Sequence, residues 1–150
     1  MISVFLQGGL GNQLFQVAAA KSLALDLNDD FAVNHDICYT PNQGQKSGKY
    51  KNTFFKNIKE TTSIPNVIYQ EPEYTYNEIP KVKNITIHGY FQSEKYFINN
   101  KQKIIEDFTL DQKWFDEIFQ RIILCRTLIL QNENDPVVRE SPRLPSSLAD

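Results

Sequence analysis

One long apolar-rich segment lies between two short apolar runs at the start of the chain, and this pattern predicts a β-α-β unit. Residues 2–6 are apolar and stop at a pair of glycines, as a short buried strand does. Residues 12–27 carry leucine, valine and alanine around most of a helix circumference, so we expect this helix to pack closely against a sheet. Residues 31–34 form a second strand, and the helical connection predicts that the two strands are parallel.

The rest of the chain is predicted to extend the same sheet and to cover it with helices. Residues 67–69 and 84–90 are rich in β-branched side chains and predict two further strands. Turn-forming residues mark 36–49 and 71–80 as loops. The spacing of apolar residues predicts helices at residues 50–60, 94–97, 101–108 and 111–124. Ser93 is predicted to cap the helix at residues 94–97. The sequence therefore predicts an α/β fold in which a parallel sheet is flanked by helices.

Length and composition fit one globular domain, because the chain has 150 residues, of which 41% are hydrophobic and 23% are charged. The net charge of −2 gives no electrostatic reason to expect binding to nucleic acid or to an anionic membrane. No apolar run reaches the ~20 residues of a transmembrane segment, and the N-terminus lacks the basic part of a signal peptide. We therefore expect a cytoplasmic protein, or one peripheral to a membrane.

The two cysteines, Cys38 and Cys125, are far apart in the sequence. No Cys-x-x-Cys pair occurs, and we find no set of cysteines and histidines with the spacing of a zinc site. We therefore expect two free thiols in a reducing compartment and no bound metal.

A change of composition divides the chain near residue 120. All twelve lysines lie within residues 1–120, and all four arginines lie within residues 121–150. The second segment also concentrates proline and serine, which are typical of a flexible terminal tail. We therefore expect a domain over residues 1–120 and a divergent, flexible tail over residues 121–150.

A glycine-rich turn follows the first strand and is the first candidate for ligand binding. Gly8, Gly9 and Gly11 allow the backbone to approach a ligand closely, and the helix that follows offers free N–H groups to an anion or a sugar oxygen. Asn12 and Gln13 add amide donors and acceptors at the same place. The glycines could equally form a tight turn with no ligand. The turn is not a Walker loop, and Leu14 occupies the third glycine position of a dinucleotide-binding fingerprint.

A second polar segment, residues 88–97, follows a predicted strand. Its polar groups should therefore lie at the carboxyl edge of the sheet, where ligands bind in open α/β folds. Tyr90 and Phe91 could stack on a sugar, although an aromatic ring such as Phe91 or Phe97 more often packs in a core. His88 alone is more often a structural histidine than a catalytic base.

Together these two segments resemble the α-1,2-fucosyltransferases of glycosyltransferase family 11. The resemblance runs from residue 1 to about residue 119 and is specific because two separate motif blocks match. It rests on residues 8–16, 21–24 and 88–97, with further likeness at residues 50–58 and 76–79.

This resemblance implies the Rossmann-like N-terminal half of a GT-B-type glycosyltransferase. Such an enzyme would move fucose from GDP-fucose to the 2-hydroxyl of a galactoside, with inversion, without a metal and with no cofactor besides its donor substrate. Its partners would be a sugar nucleotide and a galactoside-containing glycan. The matching positions predicted to bind substrate are Gly8, Gly9, Gly11, Asn12, Gln13, His88, Tyr90, Phe91 and Gln92. No residue is assigned as the catalytic base.

The family's His-x-Arg-Arg-x-Asp motif has no counterpart, because no Arg-Arg pair occurs in this chain. Paired guanidinium groups bind the pyrophosphate of a sugar nucleotide well, so the chain lacks the groups that the family uses to bind its donor. We therefore expect a truncated enzyme that needs a missing C-terminal half and has little or no transferase activity alone.

Two other functions stay open at this point. A nucleotide-dependent Rossmann oxidoreductase would need a third glycine and an acidic residue after the second strand. Leu14 and Asn34 occupy those positions, although Asp36 is near. A non-catalytic sugar-binding or scaffold domain is favoured by the missing arginine pair.

Overall fold

The computed structural model describes residues 1–37, 45–73 and 75–108. Its regular elements are strand β1 (Ile2–Val4), helix α1 (Leu10–Asp26), strand β2 (Val67–Gln70), strand β3 (Ile85–His88) and helix α2 (Lys101–Asp107). Short 3-10 helices lie at Ser47–Tyr50, Glu94–Tyr96 and Ile98–Asn100. The α/β class predicted from the sequence is confirmed.

The sheet is entirely parallel among the described residues, with strand order β1-β3-β2. Ile85 of β3 pairs with Ile2 on one side and with Val67 on the other. In the described part of the chain, the sheet continues beyond β1 only as isolated parallel bridges, from Ile2 to Phe31 and from Val33 to Glu60. The predicted strand at residues 31–34 is therefore present as a bridging segment, and its predicted parallel direction is confirmed.

Helix α1 is covered on most of its surface, as the sequence predicted. Ala18, Ala19 and Ala20 are at most 3% exposed, because small side chains let the helix approach the sheet closely. The helix begins at Leu10, two residues earlier than expected, with Gly9 as its N-cap. It ends where Asn28 adopts a positive φ of 48°.

The predicted helix at residues 50–60 is wrong. After Ser47–Tyr50 the chain makes successive tight turns, in which the amide of Thr53 donates to Tyr50 O at 3.1 Å and the amide of Ile58 donates to Phe55 O at 2.9 Å. The Thr53 hydroxyl also donates to Tyr50 O at 3.2 Å and so competes for a helical acceptor. Phe55 and Ile58 are buried, so the apolar spacing reports core packing rather than an α-helix.

The remaining predictions differ from the structure mainly at the ends of elements. β3 is shorter than residues 84–90, because Asn84 has a positive φ of 58° and Gly89 follows the last paired residue. Ser93 caps the next short helix as predicted, since its Oγ accepts from Lys95 N at 3.4 Å. α2 lies within the predicted residues 101–108.

Several predictions fall outside the described residues. These are the helix at residues 111–124, the tail at residues 121–150 and the two cysteines, Cys38 and Cys125. In the described part of the chain, no helix has both the length and the apolar character needed to cross a membrane.

The strand order places a topological switch point between β1 and β3. From β1 the chain runs through α1 to the bridging segment at residues 31–33, on one side of β1. β3 lies on the other side, where the amide of Phe5 donates to Ile87 O at 3.0 Å. Ligands in open α/β sheets bind in the crevice outside the carboxyl ends of strands at such a point.

Candidate functional site

A crevice lies at the carboxyl edge of the sheet, where β1 and β3 end side by side. The ring of His88, the last residue of β3, packs edge-on against Phe5, with ring centroids 5.3 Å apart. The glycine turn leaves β1 at this point, and residues 89–92 leave β3. Both segments singled out in the sequence therefore start at the same edge of the sheet. His88, Gly89 and Tyr90 line the crevice itself, and Gln7 lines it next to the glycine turn.

A hydrogen bond joins these two segments directly. Gln92 Nε2 donates to Asn12 Oδ1 at 2.7 Å, although the two residues are 80 positions apart in the sequence. Gln92 is exposed and Asn12 is half-buried, so this amide pair lies at the protein surface. Two side chains predicted to bind substrate are thus held together by the fold.

The glycine turn gives a ligand room to approach the start of α1. Gly8 has a positive φ of 74°, and a Cβ there would lie 2.5 Å from Asn12 Nδ2. A Cβ on Gly9 or Gly11 would meet nothing within 4 Å. No side chain of the described residues caps the N-terminus of α1, so this end of the helix keeps its partial positive charge.

Gln13 faces into the protein and holds the turn in place. Its side chain is completely buried, and its Nε2 donates to Gly8 O at 2.9 Å and to Gln45 O at 2.8 Å. Gln16, one turn further along α1, is equally buried and pairs with both main-chain groups of Gln7. Gln13 therefore shapes the turn from behind, and its predicted contact with substrate stays a prediction.

Glu71 is the residue of this site that the sequence analysis missed. It directly follows β2, and its Oε2 accepts from the amides of Tyr90 at 2.7 Å and Phe91 at 3.0 Å. Its own amide donates to His88 O at 2.8 Å. An acidic residue at the carboxyl end of a predicted strand was the available signal. Because charged acceptors make strong hydrogen bonds, Glu71 fixes the turn that follows β3.

The aromatic residues of this turn differ in exposure. Phe91 has no exposed surface, and its ring packs edge-on against Tyr96 at 5.2 Å. Tyr90 and His88 are half-buried and line the crevice. Stacking of a sugar on Phe91 stays a prediction, and in this structure the Phe91 ring belongs to the core.

The crevice contains a cavity of about 320 Å³ with an acidic lining. The ends of all three strands contribute to it, and its lining residues are Gln7, Gln70, Glu71, Pro72, Glu73, His88, Gly89 and Tyr90. No lysine or arginine occurs among these lining residues. Within the described ranges, no cluster of three acidic, histidine or cysteine side chains could hold a metal ion. The described part of the site thus offers polar and acidic groups but no cationic side chain for a phosphate.

Tyr96 completes the network around Glu71 and gives it a measurable signature. Its hydroxyl donates to Glu71 Oε1 at 3.1 Å and accepts from Asn77 N at 3.0 Å. The pKa of Tyr96 is raised to about 12, chiefly by burial, while the bond from Asn77 opposes the shift and the Glu71 carboxylate adds to it.

Tyr96 is therefore expected to ionise late in a spectrophotometric pH titration. Its folded pKa lies above the ordinary value of 10, so its contribution to stability is complete below pH 10 and is lost as the pH rises towards about 12. Tyr96→Phe should remove the latest component of the tyrosinate absorbance, and Glu71→Gln should move it to lower pH. A titration that is identical in all three proteins would contradict this assignment. Tyr69, whose pKa is raised by burial and by Glu71, is expected to shift in the same direction as Tyr96 in Glu71→Gln.

Comparison with known proteins finds similarity to a transferase. The chain is similar to an alpha-1,2-colitosyltransferase of Escherichia coli, with 27% identity over 145 aligned positions that cover 77% of this chain and 49% of the relative. The chain thus spans about half the length of this curated relative. No protein-family model matches the chain. No solved structure matches it significantly.

Proposed function

We propose that this chain is the N-terminal half of a glycosyltransferase that moves a deoxyhexose from a sugar nucleotide to a hydroxyl group of a glycan. The hydrogen bond between Gln92 and Asn12 carries this proposal, because it unites the two motif blocks at the sheet edge where α/β enzymes bind ligands. The similarity to a colitosyltransferase over most of the chain supports the same class of reaction.

The more specific form of the proposal is an inverting, metal-independent α-1,2-transfer of fucose from GDP-fucose to the 2-hydroxyl of a galactoside, on a GT-B-type fold. It is supported by the resemblance of the two motif blocks to family 11 and by the α-1,2 linkage in the relative's name. Colitose is fucose without its 3-hydroxyl, so one type of site could hold either sugar. The donor is therefore the detail that needs a direct comparison.

The chemistry of such a transfer sets clear demands on the site. The acceptor oxygen bonds to the anomeric carbon, the bond from that carbon to the phosphate oxygen breaks, and the hydroxyl proton passes to a base. The departing diphosphate must be stabilised by positive charge. The open N-terminus of α1 provides a partial charge, but Glu71 and Glu73 line the adjacent cavity. We therefore infer that cationic groups beyond the crevice complete the donor site, and that this chain alone has little or no transferase activity.

Binding of GDP-fucose to the chain tests the proposal without requiring turnover. We expect saturable binding, followed by calorimetry or ligand-observed NMR, and at least tenfold weaker binding by Gly9→Leu. Gly9 has the ordinary backbone angles of −72° and 171°, and a Cβ there meets nothing within 4 Å, so leucine should occupy the open space beside the N-terminus of α1 without disturbing the fold. Gln102→Leu, on the exposed face of α2, is the matched control. A nucleotide-activated colitose in place of GDP-fucose decides between the two donor sugars.

Three results would change the proposed site or the proposed function. Equal affinity of Gly9→Leu and the control would place the ligand elsewhere. Binding of NAD in preference to GDP-fucose would favour an oxidoreductase. Binding of glycans with no affinity for any sugar nucleotide would favour a sugar-binding or scaffold domain. Robust transfer by the 150-residue chain alone would contradict the expected inactivity.

A further inference from the structure

A second and larger cavity, of about 650 Å³, opens at the same edge of the sheet. It lies on the opposite side of β1 from β3, next to the ends of the bridging segments around Val33 and Glu60. Its described lining is polar and consists of Asn34, His35, Asp36, Lys46, Gly48, Lys51, Glu60, Thr61 and Thr62. Cavities of this size are typical of sites for small organic ligands.

The back of this cavity is built from groups that are already held in place. Asn34 Nδ2 donates to Thr62 O at 3.2 Å, and Asn34 Oδ1 accepts from Asp36 N at 2.9 Å. His35 Nδ1 and Ser47 Oγ are hydrogen-bonded at 2.8 Å, and the His35 ring stacks on Phe55. These contacts hold the wall of the cavity in place.

His35 leaves one polar atom without a partner at this wall. Its side chain is only 9% exposed, and Nε2 has no hydrogen bond within the described residues because Glu60 Oε1 is 3.9 Å away. Burial lowers the pKa of His35, while the Glu60 carboxylate opposes this shift. His35 is therefore neutral at pH 7 and adds no charge to the cavity.

The charges of the cavity balance, which decides the class of ligand. Lys51 is bound to Glu60 at 2.6 Å, so these two groups neutralise each other. Asp36 is exposed, and no hydrogen bond or ion pair of its carboxylate occurs among the described residues. Lys46 supplies one compensating cation at the rim. A phosphate in this cavity would be repelled by the Asp36 carboxylate, and the balanced charges offer no net positive field to offset that repulsion. A sugar fits better, because the two oxygens of a carboxylate can accept hydrogen bonds from its neighbouring hydroxyl groups.

We propose that this cavity, centred on Asp36, binds a neutral saccharide through its hydroxyl groups. In the proposed transferase, and resting on that function, the saccharide is the acceptor glycan, while the sugar nucleotide occupies the crevice between β1 and β3. Gln13 links the two sites, because it binds Gly8 O in the glycine turn and Gln45 O, next to Lys46. A neutral ligand and a charged ligand are thereby assigned to adjacent parts of one sheet edge.

Titration of the intact chain with lactose and with GDP, followed by the amide signals in NMR, tests this assignment. Lactose should shift the amides of residues 34–36 and 60–62, and Asp36→Ala should weaken lactose binding at least tenfold. Glu106→Ala removes an equally exposed carboxylate from α2 and should leave lactose affinity unchanged. GDP affinity should be the same in all three proteins.

The outcomes separate this inference from the proposed function. Three results would overturn the saccharide cavity. Lactose could shift the amides of residues 7–9 and 90 instead, or Asp36→Ala and Glu106→Ala could bind lactose with equal affinity. The third is that the unmodified chain shows no saturable lactose binding. Lactose binding at Asp36 in a chain that does not bind GDP-fucose would support the cavity while the transferase proposal fails. GDP-fucose binding blocked by Gly9→Leu, without lactose binding at Asp36, would leave the transferase proposal and remove the cavity.

Discussion

Replacing Gly89 by alanine is expected to destabilise the protein by about 2–4 kcal/mol, because the new side chain would overlap a buried and fully engaged carboxylate. A Cβ at this position would lie 2.4 Å from Glu71 Cβ and 2.5 Å from Glu71 Oε2. Glu71 cannot move aside freely, since its Oε2 accepts from the amides of Tyr90 and Phe91. Any shift that relieves the overlap leaves these amides without their acceptor, which adds the cost of unpaired polar groups.

The midpoint of urea unfolding, followed by circular dichroism, measures this effect. Gly11→Ala is the matched control, because a Cβ on Gly11 meets nothing within 4 Å and alanine is the better helix former. We expect the control to be as stable as the unmodified chain or slightly more stable. Failure of Gly89→Ala to fold is the extreme form of the expected result, whereas equal midpoints for the two variants would show that the turn is not fixed by Glu71.

The meeting of the two motif blocks could be predicted from the sequence, because parallel strands end at one edge of a sheet. Once β1 and β3 are recognised as parallel strands of one sheet, the residues that follow them are expected at the same edge. The bond between Gln92 and Asn12 is the outcome of that rule. The close packing of α1 was predictable for a related reason, since its alanines leave no polar stripe for water.

The role of Gln13 could not be read from the sequence, because a glutamine amide serves a ligand and a main-chain carbonyl equally well. Asn12 and Gln13 are neighbours in one motif, yet Asn12 is half-buried and bonded to Gln92, whereas Gln13 is completely buried. Only the direction of each side chain around α1 separates them. The role of Glu71 was not predicted, because an acidic residue in a predicted loop is usually solvated. Its hydrogen-bond partners, the amides of Tyr90 and Phe91, also lie 19 and 20 positions away in the sequence.

The division of charge along the sheet edge follows from these same contacts. The Glu71 carboxylate accepts hydrogen bonds from the turn after β3, so its negative charge is held beside the crevice. Asp36 lies on the other side of β1 with its carboxylate exposed. A diphosphate bound between the two would need cations that the described lining of the crevice lacks. This is the physical reason to expect that donor affinity depends on groups beyond residues 1–108.

Gln13→Glu is expected to destabilise the protein by about 3–5 kcal/mol at pH 7, because it would place a carboxylate against two carbonyl oxygens in a site without solvent. Gln13 Nε2 now donates to Gly8 O and Gln45 O, and a charged glutamate has no hydrogen to give to either.

The penalty of Gln13→Glu should depend on pH in a defined direction. Burial and the two carbonyl dipoles would raise the pKa of the new carboxyl above the unfolded value of about 4.3, so the folded protein would hold a proton that the unfolded chain releases. The stability of the variant relative to the unmodified chain should therefore fall as the pH rises from about 4.3 towards the raised folded pKa. Urea unfolding at pH 5 and pH 7 measures this change, and Gln102→Glu on exposed α2 is the control that should show none. A Gln13→Glu protein as stable as this control at both pH values would mean that Gln13 reaches solvent, and the glycine turn would then be free to present this amide to a ligand.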